Sequence, residues 1–378
     1  MIAPESWMTK EAIGLGSDPE SGARIIQLTS APLINSNMYG EQPFMDAESR
    51  YVIFDRSLNS YGPVEIWRAD LRDFTLRYVC DGALRRRCLG ISPDHRYFFC
   101  TRALDGGFEV VRTDVATLEQ ETYRFKGEIR PTSMLGFAPG NRLGVCGVML
   151  SDTRFGIIRL DFKTRTSKVI HENPDLVNPH VQVEPSKGED IMIQHNRGSK
   201  AEGGRVTRLV GEEGATLYLI DWNGGNLRTL PVGKPYTWPC QGHQCWIGKT
   251  GEILLTITGG SSEEKISEGV LLAVKPGDEQ ARVVAKGYNY QHPNASRDGR
   301  FFVSDIRGDA LIVGSIKTGN TRALCTGFSP LRSSPQYAHP HPYFSPDNQW
   351  VIFNSISTGI PHVCAANVPE GMLEELEG

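Results

Sequence analysis

The sequence predicts an all-β chain: a seven-bladed β-propeller of four-stranded antiparallel blades, its ring closed by an N-terminal strand. Three observations predict this. One strand–turn–strand unit recurs seven times along the chain. Its copies lie about 45 to 50 residues apart, with one gap near 60, which is the period of a four-stranded blade. The 40 glycines and 23 prolines among 378 residues suit many short strands joined by tight turns. A lone four-stranded sheet cannot bury both faces, and radial packing of blades solves that. No composition shift or linker divides the chain, so residues 1–378 are expected to form one domain.

Residues 1–20 are expected to cap the outside. Residues 24–29 (RIIQLT) read as a short strand that completes the blade of the last repeat. The clearest turns are residues 90–99 (GISPDHRYFF), 295–303 (ASRDGRFFV) and 344–353 (FSPDNQWVIF). Weaker copies are residues 45–54, 137–143, 184–190 and 247–255. Apolar third strands follow several of them, at residues 64–70 (VEIWRAD), 155–161 (FGIIRLD) and 216–221 (TLYLID). The long gap holds residues 197–214 (RGSKAEGGRVTRLVGEEG). It is rich in glycine and charge and reads as a mobile loop over one end of the barrel.

Charge and composition exclude several classes. Forty Lys and Arg oppose 44 Asp and Glu, a net charge of −4, with no long basic stripe, so nucleic acid is not an expected partner. No secretory signal and no stretch of membrane-span length are visible, so neither export nor a membrane partner is expected. The eight cysteines are scattered without a CxxC pair and read as buried thiols of a reducing compartment. A cytoplasmic monomer is the expectation.

The chemistry lies in the histidines. Residues 336–342 read QYAHPHP, and only nine histidines occur in the chain. On an extended strand His339 and His341 would point to one face. Gln336 could add an amide oxygen. His341 lies five residues before Pro346, and His292 five before Arg297 at the same turn position. Equivalent positions of adjacent blades sit at equal height around the axis, so these two should approach each other. His243 and His180 fall at a similar height, and His195 lies near the base of the long loop. Six histidines thus map to one end of four consecutive blades. His95, His171 and His362 fall elsewhere. Three imidazoles and an amide oxygen would leave positions open on a divalent metal, as catalysis needs. The set suits Mn, Fe, Co, Ni or Zn.

The segment Gln336, His339, Pro340, His341, Pro342, Phe344, Pro346 resembles the QxxHPHPxFxP segment of the bacterial oligogalacturonate lyases, polysaccharide lyase family 22. The resemblance continues through residues 27–29, His180, residues 191–195, 243–246, 292–299 and 368–370. It implies a TolB-like seven-bladed propeller. It implies Mn2+ held by His292, Gln336, His339 and His341, and His243 as the base that takes the uronate C5 proton. The activity implied is β-elimination of short 4-linked oligogalacturonates, acidic oligosaccharides such as digalacturonate. Two positions depart from the family: Thr216 and Pro335 stand where it carries arginines. Arg197, Lys200, Arg205 and Arg208 could replace the missing cation, with His180 and His195 as further substrate contacts. Two other readings share these residues: a lyase or epimerase for a different uronate, and a non-catalytic TolB-like binding propeller.

Overall fold

The computed structural model describes residues 7–59, 64–83, 88–128, 130–258, 267–306, 309–328 and 336–378. Antiparallel strands make up nearly all of its regular secondary structure. A short helix, Met372–Glu377, and a 3-10 turn, Gln336–Ala338, interrupt the strands.

The turns form for a local reason. Ser345 Oγ donates to Asp347 Oδ1 at 2.5 Å and accepts the Trp350 N–H at 2.9 Å. The Ser345 N–H reaches the Trp350 carbonyl at 2.8 Å. Ser296 with Asp298 and Ser92 with Asp94 repeat the arrangement. The backbone then takes a left-handed residue, Asn348, Gly299 or His95, with φ of 60°, 75° and 63°. Glycine and asparagine tolerate that region best. The same backbone closure recurs from Asp46, Ala138, Glu184 and Ile247. All seven turns expected from the repeat are therefore built.

Around the turns the strands pair in sequence. Leu89–Ile91, Tyr97–Leu104, Gly107–Asp114 and Gln120–Lys126 form one four-stranded meander, and Asn294–Ala295, Phe301–Ile306, Ala310–Ser315 and Thr321–Thr326 form another. A single pairing of Ala215 with Cys240 merges two neighbouring units into one larger sheet. In the last sheet Tyr343–Phe344, Trp350–Ser355 and His362–Asn367 are followed by Arg24–Gln27 from the start of the chain. Its register sets Ile25 against Ala366 and Gln27 against Cys364. Ile13–Ser17 lies outside that strand, and Met8–Lys10 edges Thr75–Ala83 in the first sheet.

The core lies between sheets. Phe99 of one meander stacks on Phe137 of the next at 3.9 Å. Phe301 and Val303 pack with Phe344, Val351 and Phe353, and the helix adds Met372, Leu373 and Leu376. Each large apolar side chain buried here contributes about 2–3 kcal/mol. All eight cysteines are buried and free. No helix among the described residues is long and apolar enough to cross a membrane.

One expectation is corrected. The supposed loop at 197–214 contains a hairpin, Lys200–Glu202 paired with Arg205–Arg208. Gly203 and Gly204, with φ of 55° and 74°, make the two-residue turn that such a hairpin favours. Its strands are almost wholly exposed, so no apolar alternation announces them.

Candidate metal centre

His180, His243, His292 and His341 each lie four residues before the residue whose N–H closes the turn of their own repeat. Four consecutive repeats therefore deliver an imidazole at one level. His292 and His341 rings are 4.5 Å apart, His292 and His339 5.1 Å, and His339 and His341 5.6 Å. The ligand atoms of these three all lie within 4.8 Å of one another. They are close enough to converge on one ion.

The route to this convergence differs from the strand expected. His339 and His341 lie between the 3-10 turn and the two-residue strand Tyr343–Phe344. His341 sits at φ 41°. Pro340 and Pro342 have no N–H and fix their own φ, so a paired strand is unavailable. Two buried asparagines replace the ladder. Asn37 Nδ2 donates to the His341 carbonyl at 2.8 Å, and Asn354 Nδ2 donates to the His339 carbonyl at 2.9 Å. The Asn354 N–H reaches the Pro340 carbonyl at 2.9 Å, and Asn354 Oδ1 accepts the Asn37 N–H at 2.8 Å.

His292 is held by a carboxylate. Its Nδ1 lies 2.9 and 3.0 Å from the two oxygens of Asp305, and its backbone N–H is 3.1 Å from the first of them. Nδ1–H therefore donates to Asp305, which turns the Nε2 lone pair outward as a metal ligand requires. The donor set fits a divalent metal.

His243 stands beside the set, its ring 4.2 Å from that of His292. Burial pushes its pKa well below the usual histidine value, and His292, His180 and His339 push it further; the Gln291 backbone offsets this only in part. The neutral imidazole is favoured, as a base requires. His180 bonds through Nδ1 to Glu41 Oε1 at 2.5 Å and through Nε2 to Asn178 Nδ2 at 2.7 Å. Burial raises the pKa of Glu41, opposed by His180. Tyr39 packs among these rings, 4.5 Å from His341, 5.6 Å from His180 and 6.4 Å from His243. A side chain at Gly40 would meet the His341 carbonyl group at 3.0 Å, so only glycine lets the two segments press together.

No protein-family model matches the chain. The oligogalacturonide lyase of Pectobacterium atrosepticum is 22% identical over 393 residues, covering 94% of this chain and 96% of that protein. The oligogalacturonate lyase of Dickeya dadantii is 22% identical over 401 residues, with the same coverage. Among solved structures, an oligogalacturonate lyase in complex with manganese superposes with a TM-score of 0.74 at 19% identity, over 96% of this chain and 97% of that one. The oligogalacturonate lyase of Vibrio parahaemolyticus does so with 0.74 at 18%, over 97% and 99%. The chain is similar to oligogalacturonate lyases along nearly its whole length.

Where the chain departs from the oligogalacturonate lyase pattern, the structure gives the local consequence. Thr216, opposite His195 in the ladder, donates through Oγ1 to the Val232 carbonyl at 2.5 Å. Pro335 lies outside the described residues, and so does the side chain of Gln336. The other residues expected to contact substrate do not join the histidines. His195 Nε2 lies 3.3 Å from Asp175 and its ring packs on Tyr218. Arg197 is committed to three carbonyls, Gly214 at 2.9 Å, Lys234 at 3.0 Å and Glu213 at 2.7 Å. It staples the hairpin to the next loop instead of offering a free cation. Lys200 and Arg205 are exposed on the hairpin, and Arg208 Nε donates to the Gly198 carbonyl at 2.8 Å.

Sequence reasoning missed Tyr39, Glu41, Asp305, Asn37 and Asn354. A signal existed for two of them. Asp305 and Asn354 each lie nine residues after the turn serine of their repeat, so the repeat register marks both. Tyr39, Glu41 and Asn37 come from a segment with no such marker.

Proposed function

We propose that this protein is a Mn2+-dependent lyase that cleaves short 4-linked oligogalacturonates by β-elimination. The observation that carries the reading is the convergence of His292, His339 and His341 with His243 beside them, in a chain similar end to end to oligogalacturonate lyases. His292, His339, His341 and Gln336 would hold the ion. When bound, Mn2+ supplies positive charge to the uronate carboxylate, stabilising the charge that develops as the α-proton leaves. His243 takes the C5 proton. Asp305 keeps His292 in one tautomer and orientation. Lys200, Arg205 and Arg208 offer charge for the carboxylates of the remaining sugars.

The architecture that serves this is a single seven-bladed propeller, with residues 7–20 outside it and Arg24–Gln27 closing the ring. Seven turns of one design support it. So does a cavity of about 150 Å³ whose lining includes Gln42, Ile91, Phe137, Val183, Trp246, Ala295 and Phe344, one from each repeat. Such a lining is what an axis shared by seven blades would give.

The test is ultraviolet absorbance of the unsaturated uronate while the Mn-loaded protein meets digalacturonate and trigalacturonate, with chelated apoprotein as control. A metal-dependent rise is expected. A flat trace with metal bound would sink the substrate assignment and redirect the reading to another uronate or to epimerisation. A flat trace with no metal bound would favour a binding propeller.

A further inference from the structure

The strand that carries His243 is preceded by an exposed aromatic lip. Cys240–Trp246 runs from the metal-bearing end toward its turn at Ile247, so the residues before Cys240 lie at that end. Two residues beyond His243, Gln241 Nε2 donates to Gln291 Oε1 at 2.9 Å, next to the proposed ligand His292. Trp238 stands three residues further out. Five residues of even fully extended chain would keep it within about 18 Å of His243. A few linked sugar rings cover that reach.

The lip is held firmly. The N–H groups of Tyr236 and Thr237 fold back on the Gly233 carbonyl at 2.9 and 3.0 Å. Thr237 Oγ1 accepts the Gly233 N–H at 2.8 Å, and the Pro239 carbonyl accepts the Thr258 N–H at 2.7 Å. Arg197 Nη1 donates to the Lys234 carbonyl at 3.0 Å and so joins the lip to the hairpin. Yet Tyr236 is 62% exposed and Trp238 47%. Two large rings are thus kept in water on a fixed backbone, where a ligand could use them without first ordering the segment.

The charge nearby narrows the ligand. Lys234 Nζ donates to the Glu212 carbonyl at 3.0 Å and keeps its charge at the lip. Lys200 and Arg205 are exposed on the adjoining hairpin. A pyranose ring has a face of C–H groups that packs on an aromatic ring, and a uronate adds a carboxylate for the cations.

We propose that Tyr236 and Trp238 form a stacking platform for a third uronate ring, beyond the two that flank the bond cleaved. The inference rests on the lyase reading above. Binding energy gained on a remote ring can be spent at the reacting bond, so the platform makes trigalacturonate a better substrate than digalacturonate.

The experiment measures kcat/KM on both substrates for Mn-loaded wild type, Tyr236→Ala, Tyr236→Phe and Trp238→Ala. The readout is the ratio of trimer to dimer. Wild type is expected to favour the trimer. Each alanine variant is expected to lower the ratio about 3- to 10-fold, while Tyr236→Phe, which keeps the ring and loses only the hydroxyl, holds it. A wild type without preference for the trimer overturns the proposal while the lyase reading stands. So does an unchanged ratio in either alanine variant, or a Tyr236→Phe loss equal to that of Tyr236→Ala. Light scattering covers the remaining occupant: a wild-type dimer that Tyr236→Ala breaks, with the ratio unchanged, would give the lip to a second copy and overturn the platform. A wild type that cleaves neither substrate removes the lyase reading, and the platform with it.

Discussion

The carboxylate of Asp305 grips His292 twice, at its ring Nδ1 and at its backbone N–H. One side chain thereby fixes both the tautomer and the position of a histidine proposed to hold the metal. Replacing it by asparagine offers an amide that can donate as well as accept, so the imidazole is no longer held in one form. Asp305→Asn is expected to weaken Mn2+ binding by about 10- to 100-fold. Titration of the apoprotein with Mn2+ measures this. Unchanged affinity would mean the carboxylate plays no part in holding the ligand.

His243 separates binding from chemistry. It adjoins the ligand set but is not one of the three converging histidines. His243→Ala is expected to keep bound metal, by elemental analysis after dialysis, and to abolish absorbance growth on digalacturonate. Near-full activity would remove the base assignment. Loss of metal together with activity would make His243 a ligand.

Asn354 is a structural prediction. Its buried side chain meets the carbonyl of half-buried His339 and the N–H of buried Asn37. Buried groups left without partners cost about 1–3 kcal/mol each. Asn354→Ala should therefore lower unfolding free energy by about 2–4 kcal/mol in urea and weaken metal binding, because the backbone carrying two of the proposed ligands loses its support. A stable variant with normal metal affinity would show that the prolines hold the segment unaided.

Arg197 is expected to matter for stability and not for chemistry. Arg197→Met keeps the aliphatic stem and removes the staple to Gly214, Lys234 and Glu213. Faster proteolysis within residues 197–214, with kcat on digalacturonate unchanged, is the expected outcome. A drop in kcat with normal proteolysis would return Arg197 to the substrate.

His95 gives a pH dependence remote from the site. Burial holds its pKa down to about 4, against an ordinary value of 6.5, and Arg297 adds to the effect. Its Nδ1 lies 3.1 Å from the Met45 carbonyl. A depressed histidine binds fewer protons folded than unfolded, so stability is complete above pH 6.5 and falls as the pH drops toward 4. The loss is at most about 3 kcal/mol. Denaturation at pH 7 and pH 4.5 should show a larger drop in wild type than in His95→Asn, a residue that tolerates the left-handed backbone at φ 63°. Equal drops would exclude His95 as a source of acid sensitivity.

The turns were legible because their chemistry is local. Ser345 and Asp347 need only each other and the next few backbone groups. The level shared by His292 and His341 was legible because it is a register within repeated units. The path of the HPHP segment was not, since an alternation argument presumes a ladder that Pro340 and Pro342 prevent. The hairpin at 200–208 hid behind exposed polar strands, although Gly203 and Gly204 marked its turn. Tyr39 and Glu41 meet the histidines across some 140 to 300 residues of chain, a contact that exists only once the sheets have assembled. No local pattern carries it.

The pairing of Arg24–Gln27 with His362–Asn367, together with the bond from Asn37 to the His341 carbonyl, sets a timetable for biosynthesis. This early strand leaves the ribosome more than three hundred residues before His362–Asn367 and until then has only Ile13–Ser17 to pair with. The backbone that presents His341 cannot be braced until both ends have met. A nascent chain halted before residue 362 would therefore carry every histidine of the cluster and still lack His362–Asn367, the strand that joins Arg24–Gln27 to its last sheet. Metal capture becomes a late event, usable as a reporter that the polypeptide has been finished.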